Sequence, residues 1–481
     1  MAKSAKKKNM TLVIIIAAVA STGGLLFGFD TGVISGALPF LKESWGLTSG
    51  QQEWITTAAL VGAVIGAMSS GRITDIFGRK KVILVTSVIF ALGAILTGAA
   101  PTPGFLAVSR IVLGIAIGIS SFTVPLYISE IAPAKIRGAM VSSFQLMITI
   151  GILVSYFTDL AIADESNPFS WRWMFYVGVF PAIILFVGML FLPETPRFLI
   201  GKGKDEKGRR VMNKVEDPEL VEESYRKLKE DMRRDEEAQT DWRELFKPWL
   251  RTALFIAIGI MFVQQFVGIN TIIYYAPTVF IIAGFGGAKA AIAATVSVGV
   301  VNVVSTVLSM FLIDKIGRRK LYFIGLTGMV IALTALGTFF LLKDNLGPSL
   351  KYITVASTLI YIFFFAISLG PLGWLMISEV FPLKVRGLGM SIGSLSNWLF
   401  NAIVTFTFLK IAWAFTAPGM EVVREGMPND PNPAGAFFVY ALIGIVGIIW
   451  GYRYIPETKG VTLEEIEDHW RAGKKPNELK S

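Results

Sequence analysis

The sequence has no cysteine and only one histidine, His469, in its polar C-terminal tail. Disulfides, thiolate catalysis and cysteine or multi-histidine metal sites are therefore excluded, and we expect neither a metal nor another cofactor. Charged residues are also scarce, at 17% of the chain, whereas soluble globular proteins carry about a quarter. No Gly-x-x-x-x-Gly-Lys-Ser/Thr phosphate-binding loop occurs, so the chain is not its own ATPase.

Apolar sequence, in contrast, is abundant. Hydrophobic residues make up 53% of the 481 residues, and the mean hydropathy is +0.60. Apolar runs of about 20 residues recur along the whole length, which predicts an all-α membrane protein with twelve transmembrane helices. The predicted spans are 12–38, 54–74, 82–100, 105–130, 138–162, 171–192, 251–283, 290–312, 320–342, 351–379, 387–413 and 435–455.

The net charge of +10 arises from basic residues in short loops, which is typical of topology control and not of nucleic-acid binding. These bases cluster in the even-numbered connections, and the opposite loops have few. The positive-inside rule then places both termini in the cytoplasm. We expect a multi-pass, monomeric protein of the cell (inner or plasma) membrane, in contact with lipid and without a nucleic-acid partner.

Three motifs occur twice, in the same order, after corresponding spans. Motifs repeated at equivalent positions predict a duplicated six-helix unit, an arrangement typical of secondary transporters. The paired segments are Asp75–Lys80 with Asp314–Arg319, Ile128–Gly138 with Ile377–Gly387, and Pro193–Thr195 with Pro456–Thr458.

The repeat defines the predicted domains. Two pseudo-symmetric six-helix halves flank a polar linker whose mixed charges and helix formers predict short cytoplasmic helices. The domains are a cytoplasmic N-terminus (1–11), an N-terminal half (12–193), a cytoplasmic helical linker (194–250), a C-terminal half (251–456) and a cytoplasmic tail (457–481).

Asp30 places a carboxyl group inside the first span, where an ionisable residue is costly and suggests a functional site. It lies about 25 Å along its helix from Val13, and Arg110 lies about 8 Å down the fourth span from Phe105. Because the two spans run in opposite directions, both side chains are expected at a similar depth. We predict that they pair.

Such a pair could take up and release a proton, because arginine favours the ionised carboxylate whereas burial favours the protonated acid. Asp30 and Arg110 are therefore the candidate proton-coupling residues. The alternatives are a static buried ion pair, or a carboxylate that caps a helix break at Gly28 or Gly32.

The second half carries amides at membrane depth instead of charges. An amide both donates and accepts hydrogen bonds, as a hydroxyl does, so a set of amides suits a neutral polyol better than a charged substrate. Trp374 could add an apolar face for sugar C–H groups. Alternatively, each amide bridges helices, a contact worth about 0.6–2 kcal/mol. The amides are Gln264, Gln265, Asn270, Asn302, Asn397 and Asn401.

Acids and bases recur together at the predicted cytoplasmic span ends. We expect them to form inter-helix salt bridges that latch an outward-open state, each worth under about 1 kcal/mol alone. Alternatively, they only enforce topology. Gly370-Pro371 and Ala276-Pro277 predict helix breaks in spans ten and seven. The predicted latch residues are Asp75, Arg79, Glu130, Arg137, Asp314, Arg318, Glu379 and Arg386.

Together, these motifs resemble the sugar porter family of the major facilitator superfamily over nearly the whole chain. Two segments further resemble bacterial galactose or glucose–proton symporters within that family. The resemblance implies the major facilitator fold and a transporter, not an enzyme. The matching segments are Gly78–Lys80, Gly317–Arg319, Pro193–Arg197, Gln264–Asn270 and Pro456–Gly460, with Phe144–Leu153 and Gly370–Trp374 for the symporters.

The resemblance also implies roles for residues. It implies that the sugar contacts Trp374 and the amides of the second half, with Phe27 and Gln145 added from the first half. Asn397 and Ile152 stand where xylose symporters have glutamine, which favours a hexose. Sugar porters that only facilitate diffusion carry asparagine at the position of Asp30, so the carboxylate implies symport.

We therefore expect a sugar (hexose)–proton symporter that imports a neutral monosaccharide, such as galactose or glucose, by alternating access. A facilitative uniporter, a sugar sensor that does not transport, and a membrane enzyme are the alternatives, and a polyol remains a possible substrate. The short polar tail argues against the sensor, and the absence of facing paired carboxylates in the spans argues against the enzyme.

Overall fold

The computed structural model describes residues 2–133, 136–237, 242–422 and 428–479. Within these ranges, twelve helices are long and apolar enough to cross a membrane. The only β-pairing in the same ranges is an isolated bridge between Val422 and Asp430. The predicted all-α architecture with twelve spans is thus confirmed. Residues 238–241 of the predicted linker lie outside the described ranges.

We label the spans α1 to α12 in chain order. Three of them, α6, α7 and α10, consist of two segments each. The bounds are α1 Ala2–Trp45, α2 Ser49–Phe77, α3 Arg79–Gly98, α4 Pro103–Ile131, α5 Arg137–Ile162, α6 Trp171–Val177 with Val179–Phe191, α7 Arg251–Phe266 with Ile269–Ile282, α8 Ala288–Ile316, α9 Arg318–Leu341, α10 Leu350–Ile367 with Leu369–Glu379, α11 Arg386–Ala414 and α12 Ala434–Tyr454.

The linker after α6 begins with three short helices, over Pro196–Gly201, Asp205–Val215 and Val221–Glu237, as predicted. Their apolar faces form a small core in which Tyr225 is buried. The Tyr225 hydroxyl donates to Asp205, and Lys229 pairs with the same carboxylate at 2.8 Å. The hydrogen bonds from Lys229 and then from Tyr225 hold the pKa of Asp205 below its usual value.

The chain packs as two compact units. Unit 1 comprises Met1–Asp30, Val61–Ile152 and Phe175–Gln239, and therefore includes α3, α4 and the linker helices. Unit 2 comprises Thr31–Leu60, Leu153–Met174 and Thr240–Ser481. It joins all of α7 to α12 with the C-terminal ends of α1 and α5 and the N-terminal ends of α2 and α6. Because neighbouring spans run in opposite directions, these four ends share one side of the bundle, which we call the far end.

Within unit 1, α2 and α4 pack backbone against backbone. A Cβ on Gly118 would lie 2.2 Å from the carbonyl oxygen of Ala63, and one on Gly62 would lie 2.1 Å from that of Ile111. Neither position has room for a methyl group. Small residues of this kind let membrane helices approach closely where no water drives their association.

We predict that Gly118→Ala destabilises unit 1, because overpacking at a backbone contact costs about 1–3 kcal/mol. Gly104→Ala in the first turn of α4 is the matched control, since nothing lies within 4 Å of its Cβ position. Thermal unfolding in detergent should give a lower melting temperature for Gly118→Ala and a nearly unchanged one for Gly104→Ala. Equal melting of the two variants would contradict the close α2–α4 contact.

Candidate functional site

Span α10 is interrupted in the region where the sequence predicts a break. Its first segment ends at Ile367 and its second begins at Leu369, with Ser368 between them at φ −127° and ψ −97°. Gly370-Pro371 occupies the first turn of the second segment, so the break predicted for this pair is confirmed. Proline fits there because the first turn of a helix needs no N–H donor.

The break predicted at Ala276-Pro277 of α7 is wrong. This pair lies inside the continuous second segment, and the interruption falls earlier, at Gly268, whose φ of +87° is left-handed. Pro277 is tolerated because the carbonyl of Ile273, which loses its helical N–H donor, accepts the Tyr156 hydroxyl at 3.0 Å. A donor from another helix thus replaces the bond that proline removes.

Gln264 connects the two interrupted spans. Its side-chain nitrogen, at the end of the first segment of α7, donates to the carbonyls of Leu369 (2.7 Å) and Gly370 (3.1 Å) at the α10 break. Its oxygen accepts from Asn397 on α11 at 2.6 Å and from Gln265 at 3.3 Å. All four hydrogen-bonding positions of this amide are therefore occupied by protein.

The network continues along α7. Asn270, in the second segment, donates to the side-chain oxygen of Gln265 at 2.5 Å. Asn397, Gln264, Gln265 and Asn270 thus form one continuous chain of amides in unit 2. The Asn270 side-chain oxygen has no protein donor among the described residues, so it can accept a hydrogen bond from a ligand.

The other predicted contacts of the second half also lie in unit 2. Asn302 on α8 and Asn401 on α11 are buried, and the Thr405 hydroxyl donates to the Asn401 oxygen at 3.2 Å. Trp374, on the second segment of α10, is 36% exposed and can present its ring to a ligand. The predicted set therefore combines buried amides with one accessible aromatic face.

Phe27 and Gln145 lie in unit 1, on α1 and α5, and both are half-buried. The two helices cross beside them at very short range. A Cβ on Gly28 would lie 1.9 Å from the carbonyl oxygen of Ile148, and one on Gly151 would lie 2.2 Å from that of Leu25. Glycine at these positions therefore allows the close approach of α1 and α5, which fixes the positions of Phe27 and Gln145.

Asp30 and Arg110 pair as the sequence predicts. The two guanidinium nitrogens donate to the two carboxylate oxygens at 3.2 and 3.3 Å, a bidentate geometry. The side chains are 8% and 1% exposed, and the guanidinium lies 5.8 Å from the ring centre of Phe175. Because α1 runs unbroken from Ala2 to Trp45, Asp30 does not cap a helix break at Gly28 or Gly32.

The pair has a defined chemistry. Arginine keeps its charge at any physiological pH, so only the Asp30 carboxyl can take up a proton. Protonation removes the counterion of a buried cation, and an unpaired buried charge costs about 3–5 kcal/mol. Arg110 must therefore change its contacts when Asp30 is protonated.

The predicted acids and bases form matching ion pairs in the two halves. Arg79 contacts Asp75 (3.1 Å) and Glu130 (3.0 Å) in unit 1. Arg318 contacts Asp314 (3.2 Å) and Glu379 (3.1 Å) in unit 2. These predicted inter-helix bridges are thus confirmed, and each lies within a single unit.

The two remaining latch candidates do not join an ion pair among the described residues. Arg137 donates to the backbone carbonyl of Ala132 at 3.4 Å, and Arg386 forms no salt bridge in the same ranges. Each stands in the first turn of its helix, α5 or α11. Position in the repeated motif therefore did not predict pairing for these two arginines.

Two carboxylates that the sequence reasoning missed cap helices. Glu194 accepts from the backbone N–H of Lys80 at 3.1 Å, in the first turn of α3. Glu457 accepts from the N–H groups of Arg318 and Arg319 at 2.9 and 3.2 Å, in the first turn of α9. A carboxylate at a helix N-terminus is favoured by the unpaired N–H groups and the helix dipole. The repetition of the Pro-Glu-Thr motif was the sequence signal that could have predicted these two caps.

Two ion pairs at the far end, each with a buried carboxylate, were also missed. Lys42 of α1 contacts Asp430 at 2.6 Å, and both side chains are 3% exposed. Lys410 of α11 contacts the fully buried Glu53 of α2 at 2.7 Å. The partners are separated by 388 and 357 positions, and no motif links them.

This architecture defines the class of the protein. Twelve spans, motif pairs duplicated between two halves and polar groups at two interrupted helices are typical of a secondary transporter. The solved structures that this chain resembles are of the major facilitator superfamily. The family model "Sugar (and other) transporter" matches residues 16–470. The chain belongs to this family, and it is a transporter and not an enzyme, as predicted.

Individual relatives cover nearly the full length. The galactose-proton symporter of Escherichia coli K12 is 38% identical over 480 residues, which are 99% of this chain and 98% of the relative. The glucose transporter GlcP of Staphylococcus epidermidis is 35% identical over 96% of this chain and 97% of the relative. Among solved structures, the proton:xylose symporter XylE of E. coli, bound to 6-bromo-6-deoxy-D-glucose, gives a TM-score of 0.76 at 30% identity, with 96% and 100% of the two chains covered.

The amide chain predicts different phenotypes for two of its members. Gln264→Ala should lower both thermal stability, by about 1–3 kcal/mol, and sugar affinity, because it removes bonds that join α7, α10 and α11. Asn270→Ala should lower sugar affinity by roughly tenfold, the equivalent of about 1.4 kcal/mol, with a smaller loss of stability than Gln264→Ala, because only the bond to Gln265 is lost. Melting curves and sugar binding of each purified variant test this. If the sugar affinity of Asn270→Ala were unchanged, Asn270 would not be a sugar contact, and its amide would only join the two segments of α7.

Proposed function

We propose that the protein is a hexose–proton symporter that imports a neutral monosaccharide, such as galactose or glucose, by alternating access. The observation that carries this proposal is the buried, bidentate Asp30–Arg110 pair in a chain of the sugar transporter family. A carboxylate buried with arginine can exchange its ion pair for a proton. That exchange is the step a symporter needs and a uniporter does without.

The substrate class follows from the amide chain in unit 2. Its members are neutral, and each offers donors and acceptors together, so they match hydroxyl groups better than a charged group. The accessible ring of Trp374 supplies the apolar surface that sugar C–H groups require. The named activities of the galactose and glucose relatives support a hexose for this chain as well.

In the proposed cycle, Asp30 takes a proton from outside and its hold on Arg110 weakens. Sugar then binds the amides of the second half, with Phe27 and Gln145 contributing from the first half, and the halves rock. One proton crossing about 100 mV supplies about 2.3 kcal/mol. At about 1.4 kcal/mol per tenfold, this holds a neutral sugar some tens of times above its outside concentration.

We assign the ion pairs of Arg79 and Arg318 to the cytoplasmic ends of the spans. There they would help to latch the outward-open state, together with the arginines of the same motif. Asp75 and Asp314 are exposed, so their pairs contribute under about 1 kcal/mol each. The Arg79 and Glu130 side chains are 9% and 6% exposed, so breaking that pair costs more than expected from the sequence. The proposal includes a monomer in the cell membrane with both termini in the cytoplasm, as the distribution of bases indicates.

Asp30→Asn tests the coupling role. The amide keeps the size of the side chain but cannot ionise, so uphill sugar accumulation and sugar-induced alkalinisation should disappear in proteoliposomes while sugar exchange continues. Asp164→Asn makes the same chemical change at an exposed residue after α5 and should transport like the unmodified protein. If Asp30→Asn accumulated sugar fully, the coupling role would be refuted; symport lost in both variants would contradict the assignment to Asp30.

A further inference from the structure

A second buried carboxyl group, Asp159, has no role in the proposed cycle. It lies near the C-terminal end of α5, in unit 2, and its residue is 0% exposed. Neither carboxylate oxygen has a hydrogen-bond partner among the described residues, and no lysine or arginine in those ranges pairs with it. Asp30 has arginine as its counterion, whereas Asp159 has none.

The backbone of α1 packs directly against this carboxyl group. A Cβ on Gly36 would lie 2.4 Å from Asp159 Oδ2, so only glycine allows this approach. The next residue on the N-terminal side, Ser35, has a backbone carbonyl without its usual helical donor, because the donor position is Pro39. The Asp159 carboxyl group therefore lies against the turn of α1 that contains this carbonyl.

The other groups around Asp159 do not supply that donor. Tyr156, one turn earlier on α5, directs its hydroxyl to the Ile273 carbonyl, and Tyr274 is the adjoining phenol on α7. The charged residues on the neighbouring elements are engaged elsewhere. On α1, Lys42 pairs with Asp430 at 2.6 Å, and on α6 the Arg172 guanidinium lies 4.5 Å from the Trp171 ring centre.

An ionised carboxylate in this place would be a buried charge with neither counterion nor hydrogen bonds, which is costly. A proton removes the charge and turns one oxygen into a donor. The Ser35 carbonyl is the acceptor that the backbone of α1 offers beside Gly36. One proton thus removes the buried charge and supplies a donor beside α1.

We propose that Asp159 is a second proton-binding site, which holds a resident proton in the packing seen here. This proposal rests on the proposed function, because the site would act within the transport cycle. It adds a second bound proton to the one that Asp30 carries. The site belongs to the far end of the bundle. It is distinct from the proton-coupling pair, because Asp159 makes no contact with arginine.

The packing around Tyr156 couples this proton to conformation. Tyr156 bonds to the second segment of α7, and a Cβ on Gly299 of α8 would lie 3.0 Å from its ring. When these helices move away, water reaches Asp159 and stabilises its ionised form. The resident proton therefore favours the packed far end, and alkaline conditions oppose it.

Infrared spectroscopy of the purified full-length protein tests the site without requiring transport. At neutral pH exposed carboxyl groups are ionised, so a carboxylic-acid C=O stretching band reports a buried, protonated group. The band should persist at neutral pH, shift with ¹³C-labelled aspartate, and disappear in Asp159→Asn. It should remain in Asp30→Asn and in Asp164→Asn, the matched exposed control.

A pH series of melting temperatures gives a second readout. The neutral form is favoured in the fold, so the unmodified protein should lose stability as the pH rises above the usual pKa of aspartate, because the unfolded chain releases the proton that the fold retains. Asp159→Asn cannot ionise, and its melting temperature relative to the unmodified protein should rise from neutral to alkaline pH. The labelled band tests the site even if this variant folds poorly.

Absence of the band from the unmodified protein, its survival in Asp159→Asn, or a melting difference independent of pH would overturn the proposal. None of these results depends on sugar coupling. Failure of Asp30→Asn to uncouple transport would instead refute the proposed function and leave this band unaffected.

Discussion

The structure of unit 1 depends on a pair of charges that the membrane would not accept separately. Asp30 and Arg110 come from α1 and α4 and meet with bidentate geometry, almost completely buried. The arginine cannot lose its charge, so the carboxylate must stay beside it or be replaced by other contacts. In the proposed cycle, a single proton on Asp30 would therefore change which arrangement of these helices is stable. Protonation of a buried ion pair therefore affects helix packing more strongly than protonation of a surface salt bridge does.

The same constraint, that no polar group can be left unsatisfied, explains the helix breaks. Irregular backbone inside a membrane is tolerated only where protein side chains or a cavity satisfy it. Gln264 meets this need at the α10 break, and Tyr156 does so where Pro277 interrupts the hydrogen bonding of α7. Asn270 lies just beyond the left-handed Gly268 and keeps an oxygen available. The breaks thus gather polar groups at membrane depth, which a continuous apolar helix could not do.

Much of this was predictable because it depends on local pattern. Apolar runs predicted the twelve spans, counting along two antiparallel helices brought Asp30 and Arg110 to one depth, and the repeated motifs predicted the pairs of Arg79 and Arg318. The features that the sequence did not predict depend on tertiary contacts. Pro277 stays helical because a residue distant in sequence supplies the missing donor, and Lys42 finds Asp430 across 388 positions. The burial of Asp159 against Gly36 likewise follows from packing, since neither residue carries a sequence motif.

The central claim is that one proton drives the sugar, and the dependence of accumulation on membrane potential tests it most directly. In proteoliposomes with equal pH on both sides, the steady-state sugar ratio is measured over a series of imposed potentials. Coupling to one proton predicts about 2.3 kcal/mol per 100 mV, a rise of some tens of times in the ratio over that interval. A ratio that stays at unity at every potential would contradict the account and identify a facilitative transporter.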